Sequence, residues 1–120
     1  MNSHIRTSVA VVTGALLAVA LAATRVAAQA PDGAALYKQN CRSCHGALGV
    51  PAARMVSLYP KLRSLADSAY LASLSTDSIA AVTRTGAGDM KSYADKLSSA
   101  QMMAIAQFVK TLADSAARGP

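Results

Sequence analysis

A chain of 120 residues with 12 Lys and Arg against 6 acidic residues, net +6, leaves room for a single domain. Its 52% hydrophobic content is inflated by alanine and by one N-terminal run, so composition does not argue for a membrane protein. The basic residues are scattered, without a dense run or a recognition motif, which argues against nucleic-acid binding and reads as a solvated, mildly basic surface.

The chain begins with a short segment carrying Arg6, followed by an apolar, alanine-rich run of 15 residues from Val9 to Ala23. Arg25 interrupts the run, and small residues follow. This is the order of a secretory signal, and Val26-Ala27-Ala28 fits the small-x-small rule for a cut before Gln29. Ala28-Gln29-Ala30 also fits, but it sets Pro31 beside the cut. The alternative is an uncleaved anchor, for which the run is short of the about 20 apolar residues that span a bilayer. The expectation is a signal peptide over 1–28, one domain over 29–120, and a periplasmic or otherwise exported protein. Membrane contact would then arise only if the signal stayed attached. Loss of Arg6 and Arg25 lowers the net charge from +6 to +4.

A 92-residue domain is marginal without a staple, metal or cofactor. With one Phe, four Tyr and no Trp, its large apolar side chains are few. A buried cofactor would supply the missing mass.

Asp32 can cap a first helix from Gly33 to about Cys44, with Leu36, Tyr37, Asn40, Cys41 and Cys44 on one face. Its end reads Cys41-Arg42-Ser43-Cys44-His45, and the C-x-x-C-H spacing is that of covalent c-type haem attachment. Two thiols three apart on a helix share a face and can each form a thioether with one vinyl group of a porphyrin. His45 follows directly, so its imidazole can reach the iron. A redox C-x-x-C needs a neighbouring βαβ pattern, and no convincing strand run exists. A structural zinc site normally needs four ligands, and beyond the signal region there is no further Cys or His. A plain disulfide remains a third reading.

Gly46 to Tyr59 reads as a loop punctuated by Gly46, Gly49 and Pro51. Asp67 to Leu74 reads as a short helix with Tyr70, Leu71 and Leu74 inward. Ser75 can cap a further helix through Thr85, with Leu74 and Ile79 placed as a hydrophobic staple. Gly86 stands where a left-handed C-cap belongs. The last helix is the best marked: Ser98 and Gln101 form a capping box, Leu97 and Met102 a staple. Ile105, Phe108, Val109 and Leu112 make its apolar stripe, Lys110 and Asp114 lie opposite, and Ala113 to Pro120 is expected to fray.

Four methionines follow the signal as candidates for the second iron ligand. Met55 lies only ten residues past His45 and would need a tight wrap. Met102 has a place in the staple, and Met103 falls on the polar face. Met90 lies 45 residues past His45 in Thr85-Gly86-Ala87-Gly88-Asp89-Met90, where two glycines free the backbone. A Met/His pair raises the reduction potential. The alternatives are that Met90 is core filler, or that the sixth position is open.

Together these features resemble the class I cytochrome c family, from Gly33 to about Leu112. Gly33-x-x-x-Tyr37 looks like that family's first helix, whose glycine lets the first and last helices cross against an aromatic, here Phe108. Pro60-x-Leu62 is similar to the segment whose proline carbonyl accepts from the histidine ligand. Met90-x-x-Tyr93 resembles the methionine-ligand loop, with Lys91 where the family often has proline. The resemblance implies a mainly α, small cytochrome c-like fold of three to five short helices around one covalent haem c. It implies thioethers at Cys41 and Cys44, iron ligation by His45 and Met90, and a supporting shell including Pro60 and Tyr93.

The function expected is a single-electron carrier rather than an enzyme, docking redox partner proteins through an acidic partner surface. Two rivals are kept: the haem-carrying subunit of a periplasmic dehydrogenase or oxidase complex, and a gas-binding protein with an open iron.

Overall fold

Polar side chains start most of the helices, where orphaned N–H groups need acceptors. The computed structural model describes residues 29–118, so the expected signal over 1–28 lies outside the described residues. Six helices occur among them: α1 Gly33–Asn40, α2 Arg42–His45, α3 Ala53–Leu58, α4 Ser68–Ala72, α5 Thr76–Thr85 and α6 Ser99–Arg118. Asp32 accepts from the Ala35 N–H at 3.1 Å, Asp67 from Tyr70 at 3.0 Å, and Ser75 from Ser78 at 3.0 Å. Before α6 the capping box closes both ways: Gln101 N–H donates to Ser98 Oγ at 3.2 Å, and Ser98 N–H to Gln101 Oε1 at 2.9 Å.

The architecture is mainly α, as expected, but the helix count and some boundaries differ. The first helix ends at Asn40, and Cys41, with φ of −115° and ψ of −32°, stands between it and the next turn. The Asn40 side-chain amide donates back to the Leu36 carbonyl at 2.9 Å, a local bond that competes with the helical ladder. The attachment motif therefore sits on a separate turn, α2. The expected loop over 46–59 contains α3, which lacks a side-chain cap and leaves Val56 and Leu58 exposed, so neither a cap nor a buried stripe marks it in the sequence. The last helix continues through Arg118, and Ala113, expected to fray, is buried.

The core is built on α6. Met102, Ile105, Val109, Leu112 and Ala113 are buried along it, against Tyr37 of α1, Leu71 of α4 and Leu97. The helix packs on α1, α4 and α5. Leu97 and Met102 both lie in this cluster, with Leu74 and Ile79 packed against it, as the two staples require. At the α1–α6 crossing a Cβ on Gly33 would run into the Ala104 carbonyl oxygen, and Phe108 Cβ would lie 3.2 Å away. The rings of Tyr37 and Phe108 pack at 5.2 Å between centroids, tilted by 55°. This is the close crossing that the glycine–aromatic pairing implied.

Lys110 departs from its expected place on the solvent face of α6. It is half-buried, and its ammonium donates to the Leu71 carbonyl at 2.6 Å and the Leu74 carbonyl at 2.8 Å. Leu71 is in the last turn of α4 and Leu74 lies just past it, where positive charge is favoured. No described helix is long and apolar enough to cross a membrane.

Candidate haem site

A cavity of about 560 Å³ opens between α2, α4, α5, α6 and the loop after α5. Its walls are largely apolar, with Leu65, Leu71, Leu74, Ile79, Ile105 and Val109 among them. Cys41, Cys44 and His45 line it from one segment and Met90 and Tyr93 from another. Of the methionines among the described residues, only Met90 reaches the cavity; Met102 is buried in the core instead.

The attachment segment is held in place by α1. The Tyr37 hydroxyl, deep in the core, donates to the Gly46 carbonyl at 2.8 Å and closes the turn after His45. Gly46 has φ of +79°, and a Cβ there would collide with the Val50 carbonyl, so the chain leaves the motif by a path only glycine allows. Both thiols are free and half-buried. Burial pushes the Cys41 thiol up to about 11; the neighbouring Cys44 adds to this, and Lys96 opposes it. Cys41 is thus an S–H group at neutral pH in this pocket. Burial also pushes the Tyr37 hydroxyl up to about 12, so it stays a donor.

His45 is pushed below the usual imidazole range by burial, which keeps a nitrogen lone pair available. Its Nδ1 is buried with no hydrogen-bond partner. The bond expected from His45 to the Pro60 carbonyl is therefore not made. Pro60 sits exposed in a turn closed by Leu62 N–H donating to the Tyr59 carbonyl at 2.9 Å. Tyr59, Lys61 and Leu62 line the cavity; Pro60 does not.

The second segment is shaped by its backbone. Ala87 and Met90 exchange both hydrogen bonds, at 3.0 and 3.1 Å, around Gly88 with φ of +56°. Gly86 takes positive φ as expected, but its ψ of 170° is extended rather than left-handed helical. A Cβ there would meet the Met90 carbonyl. Tyr93 ties the two segments together: its hydroxyl donates to the Asn40 carbonyl, one residue before the motif, at 2.8 Å. Lys96 sits 5.9 Å from the centroid of its ring, a cation–π contact.

Sequence reasoning missed Asn40 as a tether, and it left open which of Arg42, Arg54, Lys61, Arg63, Arg84, Lys91 and Lys96 surround the cofactor; Lys61, Arg63 and Lys91 are the ones that line the cavity. Nothing local marks them, because residues far apart in sequence make the cavity. The donor set fits a haem on four counts. Two thiols and an imidazole sit side by side, the imidazole is neutral, a soft sulfur borders the same space, and the walls are apolar. Among the described residues no three His, Cys, Asp or Glu side chains gather to hold a bare metal ion.

These elements define a small c-type cytochrome. A family model for cytochrome c oxidase, cbb3-type, subunit III matches residues 28–109, and the chain belongs to that family. It is similar to the solved KustC0563 c-type cytochrome, with 29% identity and a TM-score of 0.61, over 68% of this chain and 96% of that one. A comparison with curated proteins gave no match. The chain accordingly carries covalently bound haem c and works in electron transfer.

Proposed function

We propose that this is an exported single-electron carrier whose iron is held by His45 on one side and Met90 on the other. The observation that carries the reading is that one cavity takes its lining from His45 and, of the described methionines, from Met90 alone. The haem supplies a one-electron iron couple. Cys41 and Cys44 anchor the ring, His45 offers its unprotonated nitrogen, and Met90 offers a soft sulfur that favours the reduced state. With His45 and Met90 both holding the iron, no open position would be left for a substrate, and the role would be electron transfer alone. Apolar walls from α4, α5 and α6 keep water away. Lys61, Arg63 and Lys91, which reach the cavity, would orient a partner with an acidic docking face. Export follows from the signal read over 1–28, with residues 29–120 as the working domain.

Carbon monoxide uptake by the reduced protein tests the ligation. Wild type should bind the gas poorly and Met90→Ala readily. Rapid, tight binding by wild type would establish an open iron and favour the gas-binding reading.

The family match favours a second reading of the setting, because that family is described as an oxidase subunit. Here the same electron carrier is held in a stable membrane complex instead of diffusing. Co-migration with large partners in a gently solubilised membrane extract supports this; migration as a lone monomer at native concentration rules it out.

A further inference from the structure

The loop that carries Met90 has lysine where proline would stiffen it, yet its backbone is closed by other means. Helix α5 ends at Thr85, so the carbonyls of Thr83 and Arg84 belong to its last, unpartnered set. Both are taken by the returning end of the loop. Tyr93 N–H donates to the Thr83 carbonyl at 3.1 Å, and Ser92 Oγ donates to the Arg84 carbonyl at 2.6 Å. Ser92 Oγ also accepts from Ala94 N–H at 3.2 Å, so one hydroxyl joins the helix end to the chain beyond the loop. Between these ties lies the Ala87–Met90 turn, pressed against Gly86. The loop caps the helix, and the helix end closes the loop.

We propose that Ser92 is the positioning residue that keeps Met90 at the cavity, and that opening of its bond to Arg84 governs how fast Met90 gives way to another ligand. The inference rests on the reading of Met90 as an iron ligand. Met90 is two residues before Ser92 and has no covalent tie to the ring, so its departure requires the loop backbone to swing. The swing breaks the Ser92 and Tyr93 bonds and uncovers two helix carbonyls. Lys91 supplies no restraint of this kind, since its backbone is not confined as proline's is. The hydroxyl of Ser92 takes over that duty.

The test uses imidazole as the incoming ligand on the oxidised holoprotein. At saturating imidazole the binding rate equals the rate at which the native ligand leaves. Ser92→Ala should raise this limiting rate about 2- to 12-fold, the range that one lost hydrogen bond of ordinary strength produces. Ser92→Thr, which keeps the hydroxyl, should stay near wild type. In the same Ala variant the Tyr93 amide should exchange with solvent faster, a readout independent of any ligand. Lys110→Met serves as a control for general destabilisation and should leave the limiting rate unchanged. An Ala variant with the wild-type limiting rate and wild-type amide protection overturns the proposal. Met90→Ala separates the two levels. If it binds imidazole fast and without saturation while Ser92→Ala behaves as wild type, Met90 stands as ligand and Ser92 fails. If Met90→Ala itself behaves as wild type, the ligand reading has failed.

Discussion

The two segments that face each other across the cavity are held by different means. The histidine side is fixed from beneath: Gly33 lets α1 press on α6, Tyr37 lies in the core, and its hydroxyl reaches up to Gly46. The methionine side is fixed from its edges, by backbone bonds, by the exposed Ser92 bonded to the end of α5, and by the Tyr93 hydroxyl on the Asn40 carbonyl. Breaking the first means breaking the core, whereas the second can open while the core stays intact. On the proposed ligation, the fold makes the histidine side a fixture and the methionine side a latch, and local opening is expected to begin at the latch.

The largest blow to the fixed side is loss of the cofactor's anchor. Cys41→Ala with Cys44→Ala should abolish covalent haem, since the sequence has no other thiols. Folded protein should largely disappear with it, because the apolar cavity loses its filling. Haem staining after denaturing electrophoresis reads the first effect, and any retained stain contradicts the assignment.

Gly33→Leu should come next. The new side chain meets backbone, not a movable side chain, so the cost should reach or exceed the upper end of the about 1–3 kcal/mol typical of overpacking. A denaturation midpoint equal to wild type would mean that α1 and α6 do not cross this closely.

Met102→Ala sharpens the contrast between two methionines. It should cost about 2–5 kcal/mol as a buried truncation, yet gain no carbon monoxide binding. A gain in gas binding would move the ligand role towards Met102.

Lys110→Met should have the smallest effect of the four, about 1–3 kcal/mol, through loss of an ammonium that bonds two carbonyls. Unfolding in denaturant measures it, and an unchanged midpoint would show that the strut between α6 and the end of α4 carries no weight.

Much of this contrast was legible in the sequence where the chemistry is local. Asp32, Asp67, Ser75 and the Ser98–Gln101 box cap helices because each needs only a partner three residues away. The C-x-x-C-H motif carried the haem assignment for the same reason, and the Gly33–Phe108 crossing followed from family resemblance. Features that depend on distant partners were not legible. Lys110 looked like a solvent residue because its acceptors lie far off in sequence, in and just past α4, and Tyr93 found Asn40 across most of the domain. Helix α3 escaped notice because it buries no stripe. Pro60 shows the opposite failing: a family motif matched in letters, while the turn around it leaves the residue exposed and the His45 nitrogen unpartnered.

The crossing at Gly33 also has a meaning for how the molecule comes into being. It joins the beginning of the domain to its end, and the cavity walls from Ile105 and Val109 lie on that same last helix. A chain that emerges N-terminus first presents Cys41 and Cys44 long before those walls arrive. Until the last helix docks, the thiols face a cavity that lacks two of its walls, so that helix is the element that completes the site.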